Sequence, residues 1–133
     1  MKLEERIVYA NHRIQTAYNT VEAAKLLAEN GFWNSAVNRL YYALFYAVNA
    51  LLVCNEIYPQ SHSGMRGQFS LHFIKTGRLD IKYGILLAQL YDWRQKGDYE
   101  NIFDYDEDSV RPLFEPTIQM ITEIENKIKS FLI

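Results

Sequence analysis

Residues 33–54 read WNSAVNRLYYALFYAVNALLVC. Trp33, Val37, Leu40, Leu44, Val48 and Leu51 recur at three- and four-residue spacing, with Ala36, Ala43 and Ala47 between them. That spacing predicts an α-helix with a wide apolar stripe. Tyr41, Tyr42, Phe45 and Tyr46 extend the apolar surface almost all the way round. Such a helix needs neighbours on several sides, so it belongs at the centre of a bundle or at a subunit interface. Asn34, Asn38, Arg39 and Asn49 interrupt it at intervals. A membrane span needs roughly 20 nearly uninterrupted apolar residues, so no membrane helix is expected. Arg39 stands one turn before Tyr42, placed to be presented beside it.

Working outward, the 133 residues suffice for one domain, 1–133, with a single core. Ten Tyr and seven Phe are many for this length. Tyr carries apolar area and one polar tip, which suits partly wet seams and interfaces. A net charge of −2 argues against non-specific nucleic-acid binding by the whole surface, while leaving room for a local basic site. The single Cys54 has no partner for an internal disulfide and reads as a small buried hydrophobe. No Cys pair offers a zinc knuckle. The start, MKLEERIVYA, is charged and has no apolar run, so it is not a signal peptide. These features point to a cytoplasmic protein.

Leu3 to Glu29 predicts a first helix, with Ile7, Ile14, Ala17, Val21, Ala24 and Ala28 on its stripe. Asn30-Gly31 closes it. So short a link returns the second helix antiparallel. Tyr58-Pro59 ends that second helix. Ser61 or Ser63 caps a short third helix, Met65 to Lys75, which Gly77 stops. Asp80 caps a fourth, with Ile81, Ile85, Leu86, Leu90 and Trp93 apolar, ending at Lys96-Gly97. An acidic loop, Asp98 to Asp108, follows. Asp106 or Asp108 caps the last helix, whose stripe is Ile118, Ile121, Ile124, Ile128 and Leu132. Pro112 fits its first turn, and Pro116 marks either a kink or the true start of the long helix. No stretch alternates in period two. The expected fold is all-α: an antiparallel up-and-down four-helix bundle with an additional short helix.

Candidate chemistry concentrates between Gln60 and Lys82. Arg66, Lys75, Arg78 and Lys82 face one acid, Asp80, with His62 and His72 in the same stretch. Such a segment suits a phosphate or a flexible RNA strand. It equally suits a solvated charged face. His62 and Arg66, four apart, share a helix face. Arg66 and His72, six apart, converge only if the backbone bends, which Gly67 permits. An Arg–His pair can cut RNA without a metal: His moves the proton, Arg stabilises the phosphorane charge, and the ribose 2′-hydroxyl attacks. Arg94, near a helix end, satisfies free carbonyls and can pair with Asp98 or Asp104. The acids Asp98, Glu100, Asp104, Asp106, Glu107 and Asp108 lack the order and mid-loop Gly of a calcium loop. No metal and no cofactor is expected.

Three segments together, AVNRLYYALFYAVNALL, SHSGMRGQFSLHFIKTG and the RQKGDY of Arg94 to Tyr99, resemble the HEPN superfamily in order and spacing. Within it, small stand-alone proteins with the pattern A..R.YYA.F.A..ALL, H.G....F...F...G and R..GDY match best. The resemblance implies a helical bundle that dimerises, with one motif from each chain meeting near the two-fold axis. It implies a toxin-antitoxin or stress setting, often beside a small nucleotidyltransferase that neutralises the HEPN partner. Its ribonuclease motif is Arg, four to six residues, then His, which Arg66 and His72 fit, with Gly67 in place of the usual polar residue. Arg39, His62 and Arg94 match recurrent positions that build either the fold or a ligand groove. Two functions are thus expected to compete. One is a homodimeric module binding nucleotide, RNA or a nucleotidyltransferase through Arg39, His62, Arg66, Lys75, Arg78 and Arg94. The other is a metal-independent endoribonuclease using Arg66 and His72 from two subunits.

Overall fold

The computed structural model describes residues 1–99 and 104–131, and among them there is no strand. Four long helices, α1 (Leu3–Glu29), α2 (Trp33–Cys54), α4 (Ile81–Tyr99) and α6 (Phe114–Phe131), form the bundle. The short α3 (His62–Phe69) and the single turn α5 (Glu107–Val110) complete the set. The expected four-helix bundle with an added short helix is what forms.

The α1–α2 hairpin turns on Gly31, whose φ of +79° is the left-handed value Gly adopts without a Cβ clash. Phe32 N–H bonds back to Leu27 and Gly31 N–H to Ala28, which satisfies the last carbonyls of α1. α2 then packs against α1, α4 and α6 at once. Leu40, Tyr41, Leu44, Val48 and Leu51 are fully buried there. Alanines fill buried positions of both hairpin helices, Ala10, Ala17 and Ala24 on α1 and Ala36, Ala43 and Ala47 on α2, all with no exposed surface. Among the described helices α2 alone is long and apolar enough to cross a membrane, and its surface is spent on its neighbours instead.

Several boundaries differ from expectation, each for a local reason. α3 starts at His62 because the Ser61 hydroxyl accepts from Gly64 N–H. It does not bend at Gly67. The departure comes later, where Ser70–Ile74 widens into a π turn and Lys75 N–H bonds Ser70 C=O five residues back. On α4 the buried positions are Tyr83, Leu86, Leu87, Leu90 and Arg94, while Ile81 and Ile85 are left exposed. α4 continues past Lys96-Gly97 to Tyr99, so Asp98 is helical. Asp106 caps α5 by accepting from Ser109 N–H. Pro112 and Pro116 each remove a helical donor. The chain answers with a 3₁₀ turn at Arg111–Leu113 before α6 begins, so Pro116 marks a start and not a kink. Residues 100–103 of the acidic loop, Glu100 included, and Leu132 of the final stripe lie outside the described residues.

Candidate functional site

α2, α3 and α4 meet at a cluster of aromatic rings and cations. α2 contributes Tyr41, Tyr42 and Phe45. The rings of Tyr41 and Tyr42 sit edge to face, 5.2 Å apart. α3 sets its first residue, His62, on top of them, stacked on Phe45 at 4.7 Å and on Tyr41 at 5.9 Å. One turn later Arg66 lays its guanidinium over the Tyr91 ring of α4 at 3.7 Å. Arg94, one turn along α4 from Tyr91, is only 8% exposed. Its Nη1 donates to the Tyr42 hydroxyl at 2.7 Å, and its Cζ lies 5.1 Å from the Tyr41 ring and 5.3 Å from that of Tyr42.

The electrostatics are one-sided. No ion pair among the described residues involves Arg39, Arg66 or Arg94. The Nε atoms of Arg66 and Arg94 are buried donors without a partner among the described residues. Faces of π systems offset part of this charge, and hydrogen-bond donors stay in surplus. Burial, then the Arg94 and Arg66 charges, hold the His62 imidazole below its ordinary 6.5. Burial pushes the Tyr41 phenol up to about 12 against the pull of Arg94 and Arg66. At neutral pH the cluster therefore sets a neutral imidazole and the protonated Tyr41 phenol beside two guanidiniums. An arrangement so rich in donors suits a phosphate oxygen.

Of the residues singled out from sequence, the structure gathers His62, Arg66 and Arg94, with Arg39 on the rim, its Cζ 5.0 Å from the Tyr42 ring. Arg39 also donates to Asn38 Oδ1, and Asn38 Nδ2 in turn donates to Asp98 Oδ2. Arg94 thus turns to a tyrosine hydroxyl, and not to Asp98 or Asp104 as expected. Asp98, four residues further along α4, is taken by Asn38. Gly97 stands where a Cβ would come 3.2 Å from the Tyr105 ring, so this position admits that ring against α4. The other candidates stand apart. His72 Nε2 pairs with Gln68 Oε1 at 3.0 Å. No contact among the described residues joins His72 to Arg66 within one chain. Arg78 covers the Phe73 ring at 4.4 Å, and Lys75 is exposed at a cleft between α3 and α4. Sequence reading left Tyr41, Tyr91 and Phe45 out of the site. The doubled Tyr within Arg-x-Tyr-Tyr-Ala was the available signal.

A bundle whose α2, α3 and α4 converge on an Arg–His–Tyr cluster defines a small all-helical protein with one cationic, aromatic site. The HEPN domain model matches residues 10–127, and the chain belongs to the HEPN family. It is 34% identical over 113 residues to a UPF0332 protein of Thermotoga maritima, covering 85% of this chain and 86% of that one. Two proteins of Methanocaldococcus jannaschii bearing the name "Putative toxin" are also similar. One is 31% identical over 119 residues, covering 90% of this chain and 88% of its own length. The other is 40% identical over 87 residues, covering 65% and 59%.

Proposed function

We propose that this HEPN chain is a cytoplasmic, homodimeric binding module that takes a phosphate-bearing ligand, a nucleotide or an RNA strand, at the His62–Arg66–Arg94 cluster. It acts in a toxin-antitoxin or stress setting, where a nucleotidyltransferase is the partner of choice. The observation that carries this reading is the surplus of donors: two guanidiniums that share the Tyr91 ring and pair with no carboxylate among the described residues. The names of the Methanocaldococcus relatives support the toxin setting. The aromatic faces suit bases, which stack on Tyr and Arg planes.

Fluorescence anisotropy of a short single-stranded RNA tests the reading. The wild-type chain is expected to bind, and Arg66→Gln to weaken binding about tenfold, the scale of one charge-assisted contact. Equal binding by both proteins refutes it. The same RNA incubated with chelator separates binding from chemistry. Intact RNA supports a binding module. Cleavage that His72→Ala abolishes replaces it with an endoribonuclease built from Arg66 and His72 of two subunits.

A further inference from the structure

The side chain of Tyr41 is fully buried, and its hydroxyl lies 2.8 Å from His62 Nδ1. A phenol has one proton to give, and a buried donor without an acceptor is costly. Among the described residues Nδ1 is the one acceptor this hydroxyl has. The groups packed round the imidazole leave little choice. From α2 come the Tyr41, Tyr42 and Phe45 rings, and the charges of Arg66 on α3 and Arg94 on α4 act on it, while Tyr91 of α4 meets the Tyr41 ring and not the imidazole. The Tyr42 hydroxyl already accepts from Arg94. Both arginines only donate, and none of these groups is a carboxylate.

A proton on Nδ1 would leave the Tyr41 proton stranded inside this shell. A neutral imidazole with its lone pair on Nδ1 carries its proton on Nε2. Nothing among the described residues bonds that nitrogen. The lowered pKa of His62 agrees, because burial disfavours an imidazolium, which would also face two guanidiniums.

We infer that Tyr41 holds His62 as the Nε2–H tautomer, so that an uncharged imidazole donates a hydrogen bond to the phosphoryl oxygen held beside Arg66 and Arg94. This rests on the phosphate-binding reading above. It gives His62 a binding role: Nε2 offers a proton to a ligand and has no lone pair to take one, so it is not a general base. It also frees recognition from the titration of His62, since no imidazolium is needed.

The test uses the full chain labelled with ¹⁵N at histidine and arginine, and the diadenosine phosphodiester ApA, whose single negative charge stays constant through neutral pH. Two-bond ¹H–¹⁵N spectra at pH 7 are expected to show His62 protonated at Nε2 and bare at Nδ1. Addition of ApA is expected to shift Nε2 more than Nδ1. Affinity is expected to change less than about twofold between about pH 6.5 and 8. Tyr41→Phe is expected to raise the His62 pKa and populate both tautomers. A proton on Nδ1 while ApA still binds overturns the inference and spares the binding reading. So does an affinity that falls about tenfold per pH unit, the mark of a required imidazolium. No shift of either nitrogen, and no shift of Arg66 or Arg94, at the highest ApA concentration removes the binding reading and the donor role together.

Discussion

Arg94 has been stripped of nearly all its water and given the Tyr42 hydroxyl, a long bond to Gln95 Oε1 and three tyrosine rings in return. Hydrogen bonds to charged groups contribute more than neutral ones, so Tyr42→Phe is expected to cost about 2 kcal/mol in a urea melt. Tyr46→Phe, whose hydroxyl has no bond to Arg94, serves as the comparison. The sign of the His62 effect also follows. Its folded pKa lies below 6.5, so between those two values the unfolded chain binds more protons. Stability therefore rises with pH through that window and is lost as pH falls into it. His62→Gln is expected to flatten that acid limb in thermal melts taken from pH 7 downwards. His62 and Arg66 were readable as one face from their spacing of four. The Arg94–Tyr42 bond spans 52 residues, and nothing in local sequence marks it. Asp98, one helical turn from Arg94, was the nearer acid by number and proved to belong to Asn38.

At the scale of an element, the ends of the helices show what composition conceals. α2 ends in the same hydrogen-bond pattern as α1: Glu56 N–H reaches Val53 and Ile57 N–H reaches Leu52. Here the left-handed position is filled by Glu56, at φ +60°, where Gly is usual. Its carboxylate pairs with Arg6 across the start of α1 at 3.2 Å. The Glu56 end of the pair is exposed and contributes little, and the left-handed backbone costs about 1–2 kcal/mol, so Glu56→Gly is expected to stabilise by about 1 kcal/mol. Gly67 is the opposite case. It lies inside α3 with open space where a Cβ would stand. Gly67→Ala is expected to add about 0.5–1 kcal/mol, read as a rise of about 3 °C in Tm. The helices themselves were plain in the 3.6-residue period of the sequence. Neither the Glu56 turn nor the π turn at Ser70–Ile74 leaves a composition signal, because Pro59 and Gly77 are the breakers that catch the eye.

For the whole molecule, the exposed Ile81 and Ile85 matter most. They line a cleft of about 640 Å³ between α3 and α4, with Arg66 and Lys75 on its walls. The homodimer we propose is expected to rest on these apolar side chains left out of the bundle. Light scattering at micromolar concentration is expected to give about twice the 15.6 kDa chain mass, and Ile85→Glu to return the monomer. A wild-type monomer would contradict the pairing. The fold was legible from one periodic stretch because a helix apolar on nearly every side leaves few architectures open. The site was half legible. Its cations could be counted in sequence, but only packing decides which of them share a ring, and so Lys75, Arg78 and His72 fell away from Tyr41 and Tyr91.

Where a phosphate ligand lands on this bundle is the most direct question. A ¹H–¹⁵N chemical-shift map recorded during titration with adenosine 5′-monophosphate answers it. The expected perturbations centre on His62, Arg66 and Arg94 and on the tyrosines beneath them, Tyr41, Tyr42 and Tyr91. Shifts confined to the Lys75–Lys82 surface, or none at all, would contradict the account.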